Sequence, residues 1–289
     1  MNRLALGTAQ FGLTYGIANN SGQISRAEAK DILQIALARG IDTLDTAIVY
    51  GESEACLGEV GVNDFKLITK LPAIPKGCSD VGGWVKQQAD ASLYRLGVNN
   101  VYGLLLHHPE NLLGSNGHEL YRALNVLKEK GLVNKIGISI YSPSELELLT
   151  IGFSFDLVQA PFNLIDQRLL SSGWMQNLKD RGVEIHSRSA FLQGLLLMSH
   201  ADIPTKFLPW NGILKKWHDW LDYNDISALQ ASLAFPLSFP EIDRVVVGVD
   251  SQNQLLQIVN AENNSINTDV PNLACEDENL INPANWSSL

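Results

Sequence analysis

Leu4-Ala5-Leu6-Gly7-Thr8-Ala9-Gln10-Phe11-Gly12 is the stretch that separates two architectures. Its first four residues form a short apolar run, the first strand of either an open doubly wound sheet or a closed α/β barrel. A dinucleotide-binding open sheet places Gly-x-Gly-x-x-Gly here and passes directly into a helix, because the glycines let backbone approach a pyrophosphate at the helix N-terminus. In this chain the glycines stand at positions 7 and 12, and a polar loop runs to Ser25 before helical periodicity begins. The open-sheet reading weakens at its most diagnostic point.

Further short, β-branched apolar runs occupy residues 41–45, 65–69, 101–106, 135–139, 157–160, 183–187 and 244–249, which with 4–7 makes eight strands. Between them, residues 26–39, 52–60, 81–96, 118–130, 143–150 and 167–179 carry the spacing of amphipathic helices. Ser25 and Glu28 form a capping box for the first helix, and Gly40 supplies its stop. A longer stretch with helices near 213–220 and 226–234 follows strand seven, and residues 252–261 follow strand eight. Eight alternations without a linker predict an α/β chain folded as one closed (β/α)8 TIM barrel, a single domain over residues 1–289. Residues 262–289, rich in Asn and acids and without periodicity, read as a C-terminal tail lying over the barrel or partly disordered.

Composition limits the partners. Hydrophobic residues make up 45% and charged residues 18%, enough to fill a large core, and the absence of an 18-residue apolar run argues against a membrane span. A net charge of -10 disfavours nucleic acid and anionic membranes, which require clustered Lys and Arg. Cys56, Cys78 and Cys275 match neither a disulfide framework nor a CxxC motif, and the N-terminus lacks the apolar core of a signal peptide. The expectation is a soluble protein with a small-molecule substrate in the cytoplasm.

In a barrel of this kind, chemistry gathers where strands end and βα loops begin. Asp45 ends strand two, Tyr50 follows in its loop, Lys70 ends strand three and His107 ends strand four. Taken singly, Asp45 reads as a cap, and Lys70 or His107 as a structural hydrogen-bonding group. Together, at three consecutive strand ends, they read as a proton-transfer set. A phenol with an ordinary pKa near 10 is a weak acid at neutral pH. A neighbouring Lys70 ammonium held by Asp45 would lower that value, and His107 would orient a substrate oxygen. His107 and His108 point to opposite faces of a strand, which argues against a shared metal ion.

Asp45-Thr46-Ala47-Ile48-Val49-Tyr50-Gly51-Glu52-Ser53-Glu54 resembles the signature of the aldo-keto reductase superfamily. Ile68-Thr69-Lys70 and Leu105-Leu106-His107-His108-Pro109 resemble that family's catalytic lysine and histidine strands. The resemblance implies NAD(P)H-dependent reduction of an aldehyde, ketone or sugar-derived carbonyl to an alcohol. Tyr50 would be the general acid, tuned by Lys70 and Asp45, with His107 orienting the substrate. His108 stands where tryptophan is frequent in the family and would shape the substrate pocket.

The same resemblance implies the cofactor contacts. Ser139 and Gln159 would hold the nicotinamide carboxamide, while Ile140 departs from the asparagine usual after that serine. Arg188 occupies the place of an aromatic ring that stacks on nicotinamide, a role open to a guanidinium plane. Arg188 also reads as a member of a surface ion-pair network. Gly7 and Thr8, Ser189 and Gly194, and Gly248, Asp250, Ser251 and Gln254 would complete the site at strand ends one, seven and eight. Gly194 and Gly248 read equally as turn glycines, and Ser251 also as a helix cap. NADPH is implied by the family, whereas the absence of Lys and Arg after Arg244 admits NADH. Trp210, Trp217 and Trp220 are expected to pack the long segment down rather than line the pocket. Two other readings of the barrel are a non-catalytic nicotinamide-binding regulatory subunit and a lyase or isomerase forming a Schiff base on Lys70.

Overall fold

The computed structural model describes residues 2–17, 19, 22–262 and 270–289. Eight parallel strands close into a barrel in chain order: β1 (Leu4–Gly7), β2 (Thr43–Asp45), β3 (Lys66–Leu71), β4 (Val101–Leu106), β5 (Val133–Ser139), β6 (Leu157–Pro161), β7 (Glu184–Arg188) and β8 (Arg244–Gly248). Pairing of β1 with β8 closes the ring. The outer layer comprises α1 (Arg26–Ala38), α2 (Ser53–Val60), α3 (Val81–Leu96), α4 (Gly117–Glu129), α5 (Ser144–Gly152), α6 (Arg168–Ser171) and α7 (Trp174–Asp180). It continues through α8 (Asn211–Asn224), α9 (Ala228–Leu237) and α10 (Gln252–Glu262), and the chain adds α11 (Glu278–Ile281). Among the described residues no helix is long and apolar enough to cross a membrane.

The helices form where apolar residues recur at helical spacing. In α1, Ala29, Ile32, Leu33 and Ala36 make one buried stripe that packs on the outward faces of the strands. The Ser25 hydroxyl caps α1 by accepting from the Glu28 amide. Glu28 does not complete the box: its carboxylate accepts instead from the Gln252 amide, 224 residues later, at the start of α10. The predicted helix 167–179 is likewise two helices, α6 and α7. Gly173 between them adopts a left-handed conformation, φ +77°, that a continuous right-handed helix excludes.

Register places the strand ends side by side. Gly7 lies opposite both Asp45 and Gly248, Ser139 opposite Gln159, and Pro161 opposite Arg188. Inside the barrel Ile68, Leu105 and Leu157 form a small apolar layer. Toward the opposite end the filling turns polar: Glu184 accepts from the Tyr102 hydroxyl at 2.7 Å, contacts His186 Nε2 at 2.7 Å and pairs with Lys135. The mouth at the C-terminal strand ends is therefore the end where a ligand can enter the barrel.

A second apolar cluster covers the region beyond β7. Leu273, Leu280, Ile281 and Trp286 from the C-terminal segment pack with Phe207, Leu195, Trp217 and Ile165. The Trp286 ring meets Phe207 edge-on at 4.8 Å, and the Cys275 amide donates to the Ile165 carbonyl. Trp217 is fully buried and stacks on Trp220 at 5.8 Å, so these rings hold the segment down, and Trp210 donates to Asp277. Within the predicted tail, residues 263–269 lie outside the described residues.

Candidate active site

Lys70 is fully buried beneath the barrel mouth, an arrangement that costs several kcal/mol unless the charge is matched. Its ammonium donates to Asp45 Oδ2 at 2.7 Å and to the Thr46 carbonyl at 2.9 Å. The second oxygen of Asp45 accepts from Gln159 Nε2 at 2.7 Å, and Gln159 Oε1 accepts from the Ser139 hydroxyl at 3.3 Å. Strands β2, β3, β5 and β6 are thus tied through one polar chain. Burial pulls the Lys70 pKa below the usual ammonium value, and the Asp45 carboxylate opposes that pull.

Tyr50 projects above this pair, its ring centroid 5.3 Å from the Lys70 ammonium. Its pKa moves opposite to the sequence-based expectation. Burial raises it above the ordinary phenol value, the Asp45 charge adds to the rise, and Arg188 works against both. Desolvation is the largest of these effects. The phenol is protonated at neutral pH with or without this shift, and the shift makes it a weaker acid whose phenolate requires stabilisation during proton transfer.

His107 ends β4 and meets the Tyr50 ring edge-on, centroids 5.9 Å apart. Burial, followed by the Lys70 charge, lowers its pKa to about 4, so the imidazole is neutral at pH 7. Its Nδ1 is buried without a hydrogen-bond partner among the described residues. Between about pH 6.5 and 4 the unfolded chain takes up a proton that folded His107 refuses. Stability is therefore present above this window and lost as pH falls through it, by about 3 kcal/mol at 1.4 kcal/mol per pKa unit. We expect the urea midpoint to fall less between pH 7 and 4.5 in His107→Gln than in the wild type; equal falls would show that His107 does not carry this dependence.

The loop holding Tyr50 is clamped by two networks. Ser53 Oγ donates to the Thr8 carbonyl at 2.8 Å and lies 2.9 Å from Thr8 Oγ1 and 3.0 Å from Thr46 Oγ1. Glu54, 2% exposed, accepts from Thr69 Oγ1 at 2.6 Å, Ser92 Oγ at 2.5 Å, and Arg95 through Nε at 2.8 Å and Nη2 at 2.6 Å. Gly12 lets the first βα loop lie against Tyr50: a Cβ at position 12 would fall 1.9 Å from the Tyr50 carbonyl and 2.3 Å from the Ser53 amide. Gly12 of the opening stretch serves this loop-to-loop contact, whereas a Cβ on Gly7 would meet Val246 and Val247 of β8.

A cavity of about 530 Å³ opens over these groups. Tyr50, His107, Asp45, Ser139, Gln159 and Arg188 reach its wall, with Lys70 beneath its floor. Gly7, Thr8, Ser189, Gly194, Gly248, Asp250 and Gln254 also line it. Gly194 takes a φ of +95°, as a turn glycine does, and a Cβ on Gly248 would fall 2.7 Å from the end of the Gln10 side chain. Ser251 lies outside the lining and its hydroxyl accepts from the Gln254 amide, a capping contact at the start of α10. His108 also lies outside, half exposed, with Nδ1 2.9 Å from Glu110.

Among the described residues Arg188 makes no surface ion pair: its guanidinium donates to the Ile140 carbonyl at 2.9 Å and to Ser189 Oγ at 3.2 Å, and lies 4.7 Å from the Tyr141 ring centroid. Asp250 accepts from Asn19 Nδ2 at 3.1 Å, and its amide donates to Gln254 at 2.7 Å. Sequence reasoning missed Tyr15, Tyr141, Phe191 and Gln193 on the wall. Tyr141 lies two residues past the end of β5, so the strand-end rule that found His107 also points to it.

The sequence profile of the Aldo/keto reductase family matches residues 3–273. Over 284 residues the chain is 25% identical to the uncharacterized oxidoreductase YqkF of Bacillus subtilis, covering 91% of this chain and 92% of that one. It is 24% identical to the pyridoxal 4-dehydrogenase of Microbacterium luteolum, covering 89% and 88%. The fold is similar to that of the aldo-keto reductase AKR11C1 of Bacillus halodurans in its holo form, with a TM-score of 0.74, 20% identity and coverage of 92% and 88%. With a profile match across nearly its whole length and an eight-stranded barrel of this form, the chain belongs to the aldo/keto reductase family.

Proposed function

We propose that this protein is an NAD(P)H-dependent reductase of aldehydes, ketones or sugar-derived carbonyls, with Tyr50 as general acid. The observation that carries the reading is the convergence of Tyr50 and His107, rings edge-on, at the wall of a cavity floored by the buried Lys70–Asp45 pair. A substrate oxygen between Tyr50 and His107 would receive a hydrogen bond from each, which polarises the carbonyl. Lys70 then stabilises the phenolate left on Tyr50, and Asp45 keeps Lys70 charged and in place.

The cavity has the size and chemistry of a nucleotide cofactor site. Its volume falls in the usual ligand-pocket range. Ser139 and Gln159 present hydroxyl and amide groups suited to a carboxamide, and Arg188 and Tyr141 present flat faces suited to a ring. The nicotinamide supplies the hydride when bound.

We further propose NADH over NADPH. A 2′-phosphate in the loop after β8 would face Asp250, while the Glu28 carboxylate already occupies the first amide of α10, where an anion would otherwise bind. Fluorescence titration with each cofactor tests both statements. NADH should bind about tenfold or more tightly than NADPH, an interval of about 1.4 kcal/mol. Tighter binding of NADPH would overturn the preference, and binding of neither at millimolar concentration would overturn the reductase reading. Cofactor binding without turnover on a panel of aldehydes, ketones and sugar-derived carbonyls would favour a regulatory, non-catalytic barrel.

A further inference from the structure

Three charged side chains line the cavity among the described residues: Asp45, Asp250 and Arg188. Asp45 is matched by Lys70 and Gln159, whereas the Asp250 carboxylate accepts from the uncharged Asn19 amide and its backbone N–H donates to Gln254. Arg188 is the one cation of the three, and its guanidinium bonds to uncharged oxygens, the Ile140 carbonyl and Ser189 Oγ, and lies against the ring of Tyr141. No carboxylate ion pair of Arg188 occurs among the described residues. Its positive charge is therefore expressed into the cavity. Its field reaches Tyr50, His107, Lys70 and Tyr15, which places it within range of the reacting atoms.

We propose that Arg188 sets the redox-state preference of the site, holding the neutral reduced nicotinamide more tightly than the cationic oxidised one. The inference rests on the reductase reading. A carbonyl carbon whose oxygen meets Tyr50 and His107 requires a hydride donor about 3–3.5 Å away. The polar wall formed by Ser139, Gln159, Arg188 and Tyr141 is the place for that ring. In the step itself, a hydride carries two electrons from the reduced ring to the carbonyl carbon, and the Tyr50 proton passes to the oxygen. An alcohol forms, Tyr50 is left as phenolate, and the ring gains one positive charge. Arg188 favours the phenolate and opposes the new cation, because its fixed positive charge attracts the one and repels the other. The oxidised cofactor is thereby primed to leave, and the site resists inhibition by it.

The test is the affinity ratio of the two redox forms in the full-length chain, measured by fluorescence titration with NADH and by displacement with NAD+. If NADPH is the form bound, the corresponding pair is used. Wild type should favour the reduced form by about tenfold, equivalent to about 1.4 kcal/mol. Arg188→Gln should bring the ratio to within about twofold, and Arg188→Lys should retain most of it because the charge is kept. A ratio unchanged in Arg188→Gln overturns the proposal. The tetrahydronicotinamide analogue of NAD, neutral and unable to give hydride, provides a measurement on wild type alone. Affinity like that of NADH supports the charge argument, and affinity like that of NAD+ overturns it. Failure of every form to bind would overturn the reductase reading itself, a different result from two forms binding equally.

Discussion

Replacing Tyr50 with phenylalanine is expected to lower kcat by about a hundredfold to ten-thousandfold, the usual weight of a positioned proton donor, while cofactor affinity stays within about threefold. The variant removes one hydroxyl and keeps the ring that packs edge-on against His107. The loop beneath remains clamped through Thr8, Ser53 and Glu54. Loss of rate with retained binding isolates the proton transfer from folding and from cofactor capture. Steady-state kinetics on a reducible aldehyde, with a parallel NADH titration, check it. A kcat within threefold of wild type would show that another group supplies the proton, and lost binding would place Tyr50 in cofactor capture.

The largest stability effect is expected at Glu54. In Glu54→Ala the Arg95 guanidinium loses both of its carboxylate bonds, and the hydroxyls of Thr69 and Ser92 lose their acceptor in a buried setting. Breaking one side of a buried ion pair costs about 3–5 kcal/mol, and partial exposure of Arg95 places this case near the lower value. At about 2–4 °C per kcal/mol, Tm should fall by roughly 6–12 °C. Glu54→Gln keeps an oxygen for the hydroxyls but loses the charge, so an intermediate fall is expected. A Tm within about 2 °C of wild type for the alanine variant would show that the network contributes little. Because Glu54 links α2 to β3 and α3, the same variant should loosen the loop that carries Tyr50.

Much of the site was legible because of a geometric property of parallel barrels. Side chains at the C-terminal ends of neighbouring strands converge on one mouth, so the strand ends at Asp45, Lys70 and His107 could be located from periodicity and brought together by topology. The same rule reached Tyr50, which lies on the short loop between β2 and α2, and the motif 45–54 agreed with it. Glu54 stood in the same motif without a role, because its partners Thr69, Ser92 and Arg95 come from β3 and α3. One helix over 167–179 is expected from periodicity where the structure has two, because Gly173 interrupts the span only through its backbone conformation.

The order of eight strands and their intervening helices, the absence of a glycine-rich dinucleotide turn after β1, and the identity of the four groups at the mouth were determined by the sequence alone. They depend on local periodicity and on residue type at strand ends, both written in consecutive positions. The tertiary structure alone decided that burial raises the Tyr50 pKa and lowers that of His107, that Glu28 caps a helix 224 residues away, and that Arg188 faces the cavity with no carboxylate partner among the described residues. Each depends on distances between residues far apart in the chain. Desolvation and Coulomb energy follow those distances, so local patterning carries no record of them.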